Sequence, residues 1–442
     1  MANENMLQIA KQAISIAKAK GAQEAAAGAS VTREIGVTWR DGKIEKISEA
    51  TKRGLNLQLY VDERYSSVST SDLRPEGIDS FIENAIALTR TLARDPHRSL
   101  PDPALYQNQP KADLQIEDPT YESVTAIDRR RMASELEAAS RSVKGSEAFL
   151  SVTTNVGDTF SESVRVHSNG FEGSRRETTW NADATVTVKD NDGRRPEEYA
   201  WASTRFFKDL PDVAALGKLA GDRALSRLGA KKISSAVVPV IIDRRSSGRL
   251  LSYLTRALSA QALQQKRSFL EGKLDQAIGS AKLDIEDDPL LPKGLASRHF
   301  DGEGIAAKRI PIFKGGALRS FLVDTYYGKK LKMAPTTMSS SNLSWKLGDK
   351  SKEALIADIK DGILVTQFLG GNSNDTTGDF SLGVQGFAIR GGKLAEPISE
   401  MNISGSHLEV WKRLVAVGND PFPYSNSRTP SLVFDAIQLA GK

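Results

Sequence analysis

The segment DPHRSLPDPALYQNQPKADLQ, residues 95–115, holds four prolines in a polar setting with no hydrophobic periodicity. Proline lacks an amide N–H and pushes the residue before it out of helical geometry, so neither a helix nor a central strand runs through such a stretch. The chain must build its layers on either side of it. Upstream, Met6, Ile9, Ala13 and Ile16 recur at helical spacing among lysines, which predicts an amphipathic helix rather than a signal sequence. AGASVTREIGVTWRDGKIEKISEA and GLNLQLYVDERYSSVSTSD then alternate as strands do, with Asp41-Gly42 placed for a type I′ hairpin turn between Trp39 and Ile44. A second helix follows, with Ile78, Phe81, Ile82, Ala85 and Leu88 as its apolar stripe.

Downstream the order repeats. YESVTAIDRRRMASELEAASRSV reads as a helix, the stretch from Ala148 to Gly193 as strands, and DVAALGKLAGDRALSRLGA as a closing helix. From Val237, a β-branched strand runs into a helix beginning near Ser246, with Leu251, Leu254 and Leu258 on one side. The remainder is rich in glycine and short strands. The expected architecture is α+β: an N-terminal α+β domain (1–95), a linker (96–115), a central α+β domain (116–230) and a larger β-rich C-terminal domain (231–442). At 442 residues the chain can bury a core in each unit.

Charge and composition narrow the function. Lys plus Arg number 60 against 55 acidic residues, a balance that argues against nucleic acid as a partner. The absence of cysteine removes disulfides, thiolate nucleophiles and thiolate metal ligands. No window reaches the ~20 apolar residues of a membrane span, and the reading is a cytoplasmic protein. Between Lys231 and Asp275, nine basic residues face three acidic ones. A solvated helical face accounts for that bias, and a surface for an acidic partner or polypeptide is the sharper alternative.

Motifs for chemistry are sparse. The closest two of the four histidines, His97 and His167, are 70 residues apart, so no helix turn or hairpin carries two imidazoles. G-x-S-x-G and the phosphate-binding G-x-x-x-x-G-K-[ST] are both missing. DDPLLPKGLASRHFDGEG, residues 287–304, crowds His299, Asp301 and Glu303 near Asp287 and Asp288. Those side chains could form an acid-base group in a cleft, or cap backbone N–H groups in an acidic turn.

Read together, SVSTSDL, DRALSRLGAKKI before VVPVII, the stretch from Glu286 to Leu331, GGNSNDTTGDFSLGVQGFAIRGGKLAEPISEMNISG and VGND resemble the TldD/PmbA family over nearly the whole chain. The resemblance implies two branches that form a heterodimeric cytoplasmic peptidase acting on unfolded or small peptides. The TldD branch bears a His-Glu-x-x-x-His signature, completed by a cysteine, and holds the catalytic metal; the PmbA branch, also called TldE, lacks it. Where the signature should fall, after VVPVII, this chain has Asp243, Arg244, Arg245, Ser246, Ser247 and Gly248. An arginine side chain offers donors only and repels a dication. Arg428, Thr429 and Pro430 stand in the neighbourhood where relatives carry cysteine.

The resemblance therefore implies a TldE-like subunit with no catalytic residue, metal ligand or cofactor of its own. Its partner would be a TldD-like subunit with the signature and zinc, its substrates peptides, and His299, Asp301 and Glu303 part of a loop at the cleft or subunit contact. Two alternatives stay open. One is a metal-free homodimer that binds peptides or regulates another protein without hydrolysis. The other is an enzyme whose site is built from His299, Asp301 and Glu303.

Overall fold

The computed structural model describes residues 2–442. Helix α1 (Ala2–Ala19) leads into β1 (Glu24–Arg40), β2 (Lys43–Val61) and β3 (Arg64–Thr70), followed by α2 (Pro75–Thr89). Asp41 and Gly42 join β1 to β2 with φ of 47° and 83°, the left-handed pair that a type I′ turn demands. A second tight turn, Asp62-Glu63, joins β2 to β3 with φ of 49° and 61° and no glycine. In α2 the buried stripe runs Ile78, Ile82, Ala85, Ile86 and Thr89, whereas Leu88, expected inside, is 54% exposed. The stripe drifts around the helix because 3.6 residues make a turn, and Ile86 takes the place given to Leu88.

The central segment supplies α3 (Ala126–Arg141), β4 (Phe149–His167), β5 (Glu172–Val188), β6 (Glu197–Thr204) and α4 (Val213–Leu225). Thr125 caps α3 in a reciprocal capping box with Asp128. On α4, Gly217 and Gly221 lie against α3, where an added Cβ would come within 2.4 Å of the Leu136 carbonyl oxygen and 2.8 Å of that of Ser140. The two helices can pack this closely only because those positions lack side chains.

The two α+β segments share one sheet, in the order β3-β2-β1-β4-β5-β6. β1 pairs with β4 antiparallel from Ala26↔His167 to Arg40↔Thr153, so the sheet is continuous across the proline-rich connection. One face is apolar. Ala25, Ala27, Leu57 and Leu59 pack on α1 and α2, and Val152, Ala184 and Val186 pack on α3 and α4. Strand alternation sends the intervening residues to the other face, which no helix of this layer covers.

The C-terminal segment opens with β7 (Ala236–Ile242) and α5 (Arg244–Arg256), the helix starting two residues earlier than its sequence suggests because Asp243 caps it. A small sheet follows from β8 (Ile285–Asp287), β9 (Ile310–Lys314), β10 (Ala317–Leu318) and β11 (Leu343–Trp345). The long strands β12 (Asp361–Ser373), β13 (Asp379–Arg390) and β14 (Lys393–Ser406) precede β15 (Leu414–Val417) and β16 (Leu432–Ala440). Their order is β14-β13-β12-β7-β16-β15, and a further β14–β16 pairing closes the ring into a barrel. Closure leaves no edge between those strands where they pair. Val240 and Ile242 face the large core with Leu250, Leu251 and Leu254 of α5, while Ile241 faces a smaller one with Leu355 and Leu364. Among the described residues no helix is long and apolar enough to cross a membrane.

Candidate functional site

The β7–α5 junction lies where the barrel meets β6 and α4. Asp243 ends the strand, its N–H donating to the Val365 carbonyl of β12 at 2.9 Å, and its carboxylate accepts from the Arg245 N–H at 3.0 Å. The same carboxylate meets Lys352 Nζ at 3.2 Å and Arg245 Nε at 3.4 Å. Burial pushes the Asp243 carboxyl up, but Lys352 and Arg245 outweigh it and leave it below the usual range. Arg245 also reaches Glu198 of β6 at 3.3 Å, and Glu198 is 1% exposed.

The residues around this pair are committed too. Gln385 Nε2 donates to Glu198 at 3.4 Å. Arg227, just past the end of α4, donates to the carbonyls of Gly386 and Ile398 at 3.0 and 2.9 Å, tying the central segment to the barrel. Arg223 donates to the Tyr199 carbonyl at 2.9 Å, and burial, aided by Arg245, brings its pKa down to about 10. Ser246 Oγ donates to the Thr366 carbonyl at 2.6 Å, and Ser247 Oγ shares the carbonyls of Ile242 and Asp243 at 3.1 Å. Thr429 Oγ1 donates to the Arg244 carbonyl at 3.0 Å, so the 428–430 segment does meet the start of α5. Gly248 lies beside it, with room for a Cβ 3.6 Å from Thr429 Oγ1.

This donor set does not fit a metal ion. Both nearby carboxylates, Asp243 and Glu198, already neutralise cations, and the side chains at the positions between them are guanidiniums and hydroxyls. Among the described residues no three His, Cys, Asp or Glu side chains converge as a metal site would require. The basic bias of this helix is divided. Arg245 is buried in an ion pair, while Arg249 is exposed, with Nε 2.9 Å from Tyr253 Oη.

The 287–304 loop is ordered by its acids. Asp301 Oδ1 accepts from the N–H groups of Glu303 and Ile305 at 2.9 and 3.0 Å, and Oδ2 from Met338 N–H at 2.8 Å. Asp287 accepts from the N–H and Oγ of Ser341 at 2.6 and 2.7 Å. Glu303 accepts from Thr325 N–H and Oγ1, and burial pushes its carboxyl up to about 7, Asp301 adding to the rise. His299 Nε2 lies 2.8 Å from the Ala112 carbonyl. No hydrogen bond between side chains joins His299, Asp301 and Glu303 to one another among the described residues; Asp301 meets Glu303 only through the Glu303 N–H.

Sequence reasoning missed two features here. Glu198 has the strand parity of the buried Ala200 and Ala202, a signal that a carboxylate points into the apolar layer. The second is the uncovered face of the large sheet, whose rungs read Ser30–Ser163–Arg175, Thr32–Ser161–Glu177 and Glu34–Thr159–Thr179. Small and polar side chains form a half-buried wall there. The C-terminal segment reaches over it through Phe300, which touches Phe171 at 5.0 Å between ring centroids, and Phe422, which meets Trp201 at 5.0 Å.

Comparison with known proteins assigns this arrangement. Family models described as PmbA/TldA metallopeptidase domain 1, central domain and C-terminal domain match residues 25–89, 119–228 and 235–441. The fold is thus that of the metallopeptidase-like proteins built from these three parts. The chain belongs to the PmbA/TldD family. It is 28% identical to the metalloprotease PmbA of Escherichia coli O157:H7 over 99% of this chain and 98% of that one. Among solved structures, a candidate modulator of DNA gyrase from Bacteroides thetaiotaomicron superposes with a TM-score of 0.95 at 39% identity, covering 98% of each chain. TldE from Thermococcus kodakarensis superposes with a TM-score of 0.85 at 19% identity over 98% of this chain and 100% of that one, a likeness of fold.

Proposed function

We propose that this chain is the non-catalytic, TldE-like subunit of a cytoplasmic two-chain metallopeptidase that degrades or processes small or unfolded peptides. The observation that carries the reading is the start of α5. At the position of the family signature stands a closed network of Asp243, Arg245, Glu198 and Lys352, with no ligand to spare. Metal chemistry then belongs to a TldD-like partner carrying His-Glu-x-x-x-His, whose zinc would polarise the scissile carbonyl and activate water.

This chain's contribution is a wall of the chamber. The uncovered sheet face carries small and polar side chains along its rungs, so it admits extended chains with little apolar surface to hold hydrophobic side chains. Main-chain hydrogen bonding of the strand-addition kind gives peptides affinity with little sequence preference.

Affinity purification of the tagged chain from its host, followed by mass spectrometry, tests the assignment. A stoichiometric partner bearing the signature is the expected result. Recovery of this chain alone as a stable self-assembly would replace the reading with a homodimeric binding or regulatory protein.

A further inference from the structure

Between the uncovered sheet face and residues 298–302 lies a cleft of ≈ 340 Å³ whose walls include Arg165, Arg175, Arg298, Ser30, Ser163 and Asn56. Its shape follows from the strand register. Arg165 of β4 is paired with Gly28 on β1 and with Gly173 on β5, so its guanidinium stands between two positions that bear no side chain. A Cβ placed on Gly28 would lie 4.0 Å from Arg165 Nη2. Arg175 sits one rung along on β5, opposite Ser163, so Arg165 and Arg175 are diagonal neighbours on one face. Arg298 comes from the loop above. A second cavity of ≈ 440 Å³ shares Arg175 and Arg298 and extends the groove toward residues 112–117.

The charge in this groove is not balanced from within. Arg175 pairs with Glu177 at 2.5 Å, but Glu177 also serves Arg205 at 2.8 Å, and Arg175 Nε is buried without a partner. Arg298 donates to Thr337 Oγ1 at 3.1 Å and to the Ser339 carbonyl, both neutral acceptors. Arg165 has no carboxylate within ion-pair distance among the described residues. Asp301 lines the cleft too, but its oxygens already accept from Glu303, Ile305 and Met338. Burial lowers the pKa of both Arg165 and Arg298, and the opposing pull of nearby carboxylates, Asp301 in both cases, does not fully offset it.

Half-buried guanidiniums short of acceptors are relieved by an anion. Their planar forks match a carboxylate, which accepts two parallel N–H bonds. We propose that Arg165, Arg175 and Arg298 form a binding site for a peptide carboxylate, either the chain terminus or an acidic side chain, with Ser30, Ser163 and Asn56 offering further donors. This rests on the reading of the chain as a peptide-handling subunit and adds what it handles: peptides that present a carboxylate to the sheet face.

Isothermal titration of the full chain with three peptides separates the sources. These are tetra-alanine as the free acid, tetra-alanine amide, and an alanine peptide amide containing one glutamate. The free acid, the glutamate peptide or both should bind at least tenfold more tightly than the neutral amide. Preference for the free acid over the glutamate peptide assigns the site to the terminus, and the reverse assigns it to acidic side chains. Arg165→Met should remove that preference with the unfolding midpoint unchanged, and Arg165→Lys should restore part of it. Equal binding of acid and amide, or an undiminished preference in Arg165→Met, overturns the site. Binding of none of the three overturns it as well, while membership of a peptidase is decided separately by co-purification.

Discussion

Replacing Glu198 with alanine should destabilise the junction of sheet and barrel severely. Glu198 is 1% exposed and lies 3.3 Å from Arg245, whose side chain is only 9% exposed. The half-buried Arg223 and the buried Arg227 stand nearby and donate to carbonyls rather than carboxylates, with Arg227 Nε left without a partner among the described residues. Without Glu198, Asp243, which also serves Lys352, must offset Arg245 alone. Breaking one side of a buried ion pair costs about 3–5 kcal/mol, because the partner's desolvation is no longer compensated. A urea m-value at the top of the range of about 1–3 kcal/mol per molar, as a chain of this length requires, makes the midpoint fall by roughly 1 M, followed through Trp180 of β5 and Trp201 of β6. The double variant Glu198→Gln/Arg245→Met removes both charges and should recover most of the loss. A Glu198→Ala midpoint within about 0.3 M of wild type, or a double variant as unstable as the sum of the singles, would refute the network as the element that closes this site.

Three further predictions concern titration and the loop. His407 is fully buried against Phe269, Phe380 and Tyr253, and burial lowers its pKa to about 4. The unfolded chain takes up that proton first, so stability present above about pH 6.5 is lost as pH falls toward 4, by at most about 3 kcal/mol; His407→Phe should flatten this slope in urea titrations. Glu303 has the opposite sign: with its carboxyl pushed up to about 7, folding favours the protonated form, and stability falls as pH rises from about 4.5 through 7. Glu303→Gln should gain on wild type at pH 8, by no more than about 3 kcal/mol, with the gap closing at pH 5; a pH-independent difference contradicts the assignment. Asp301→Ala strips the acceptor from three backbone N–H groups and should cost about 3 kcal/mol, with new proteolytic cuts between 298 and 305; an unchanged cleavage pattern would contradict that role.

Much of the α+β fold is legible in the sequence because local rules fix it. Asp41-Gly42 declares its hairpin, and Leu251, Leu254 and Leu258 are all buried as their spacing requires. The Asp62-Glu63 turn is harder to read, since nothing local marks two non-glycine residues for positive φ. Pairings that depend on distant partners are silent. β1 meets β4 across more than a hundred residues, and β14 meets β16 to close the barrel, with no turn chemistry to announce either. The candidate site divides the same way. Residues 243–248 are singled out only by the family resemblance, which places the signature after VVPVII, yet Glu198, Gln385 and Lys352, which decide what those residues do, come from three other elements. Arg165 becomes meaningful only once the register sets it between Gly28 and Gly173.

The central claim, that hydrolysis belongs to a partner and not to this chain, is tested most directly by assaying cleavage of a fluorogenic unstructured peptide. The chain would be assayed alone in zinc-supplemented buffer and again after mixing with the signature-bearing partner. The account predicts background cleavage for the chain alone and full activity only in the mixture, where Arg245→Met leaves the zinc content of the partner unchanged. Cleavage by the purified chain alone at the rate of the mixture would contradict it.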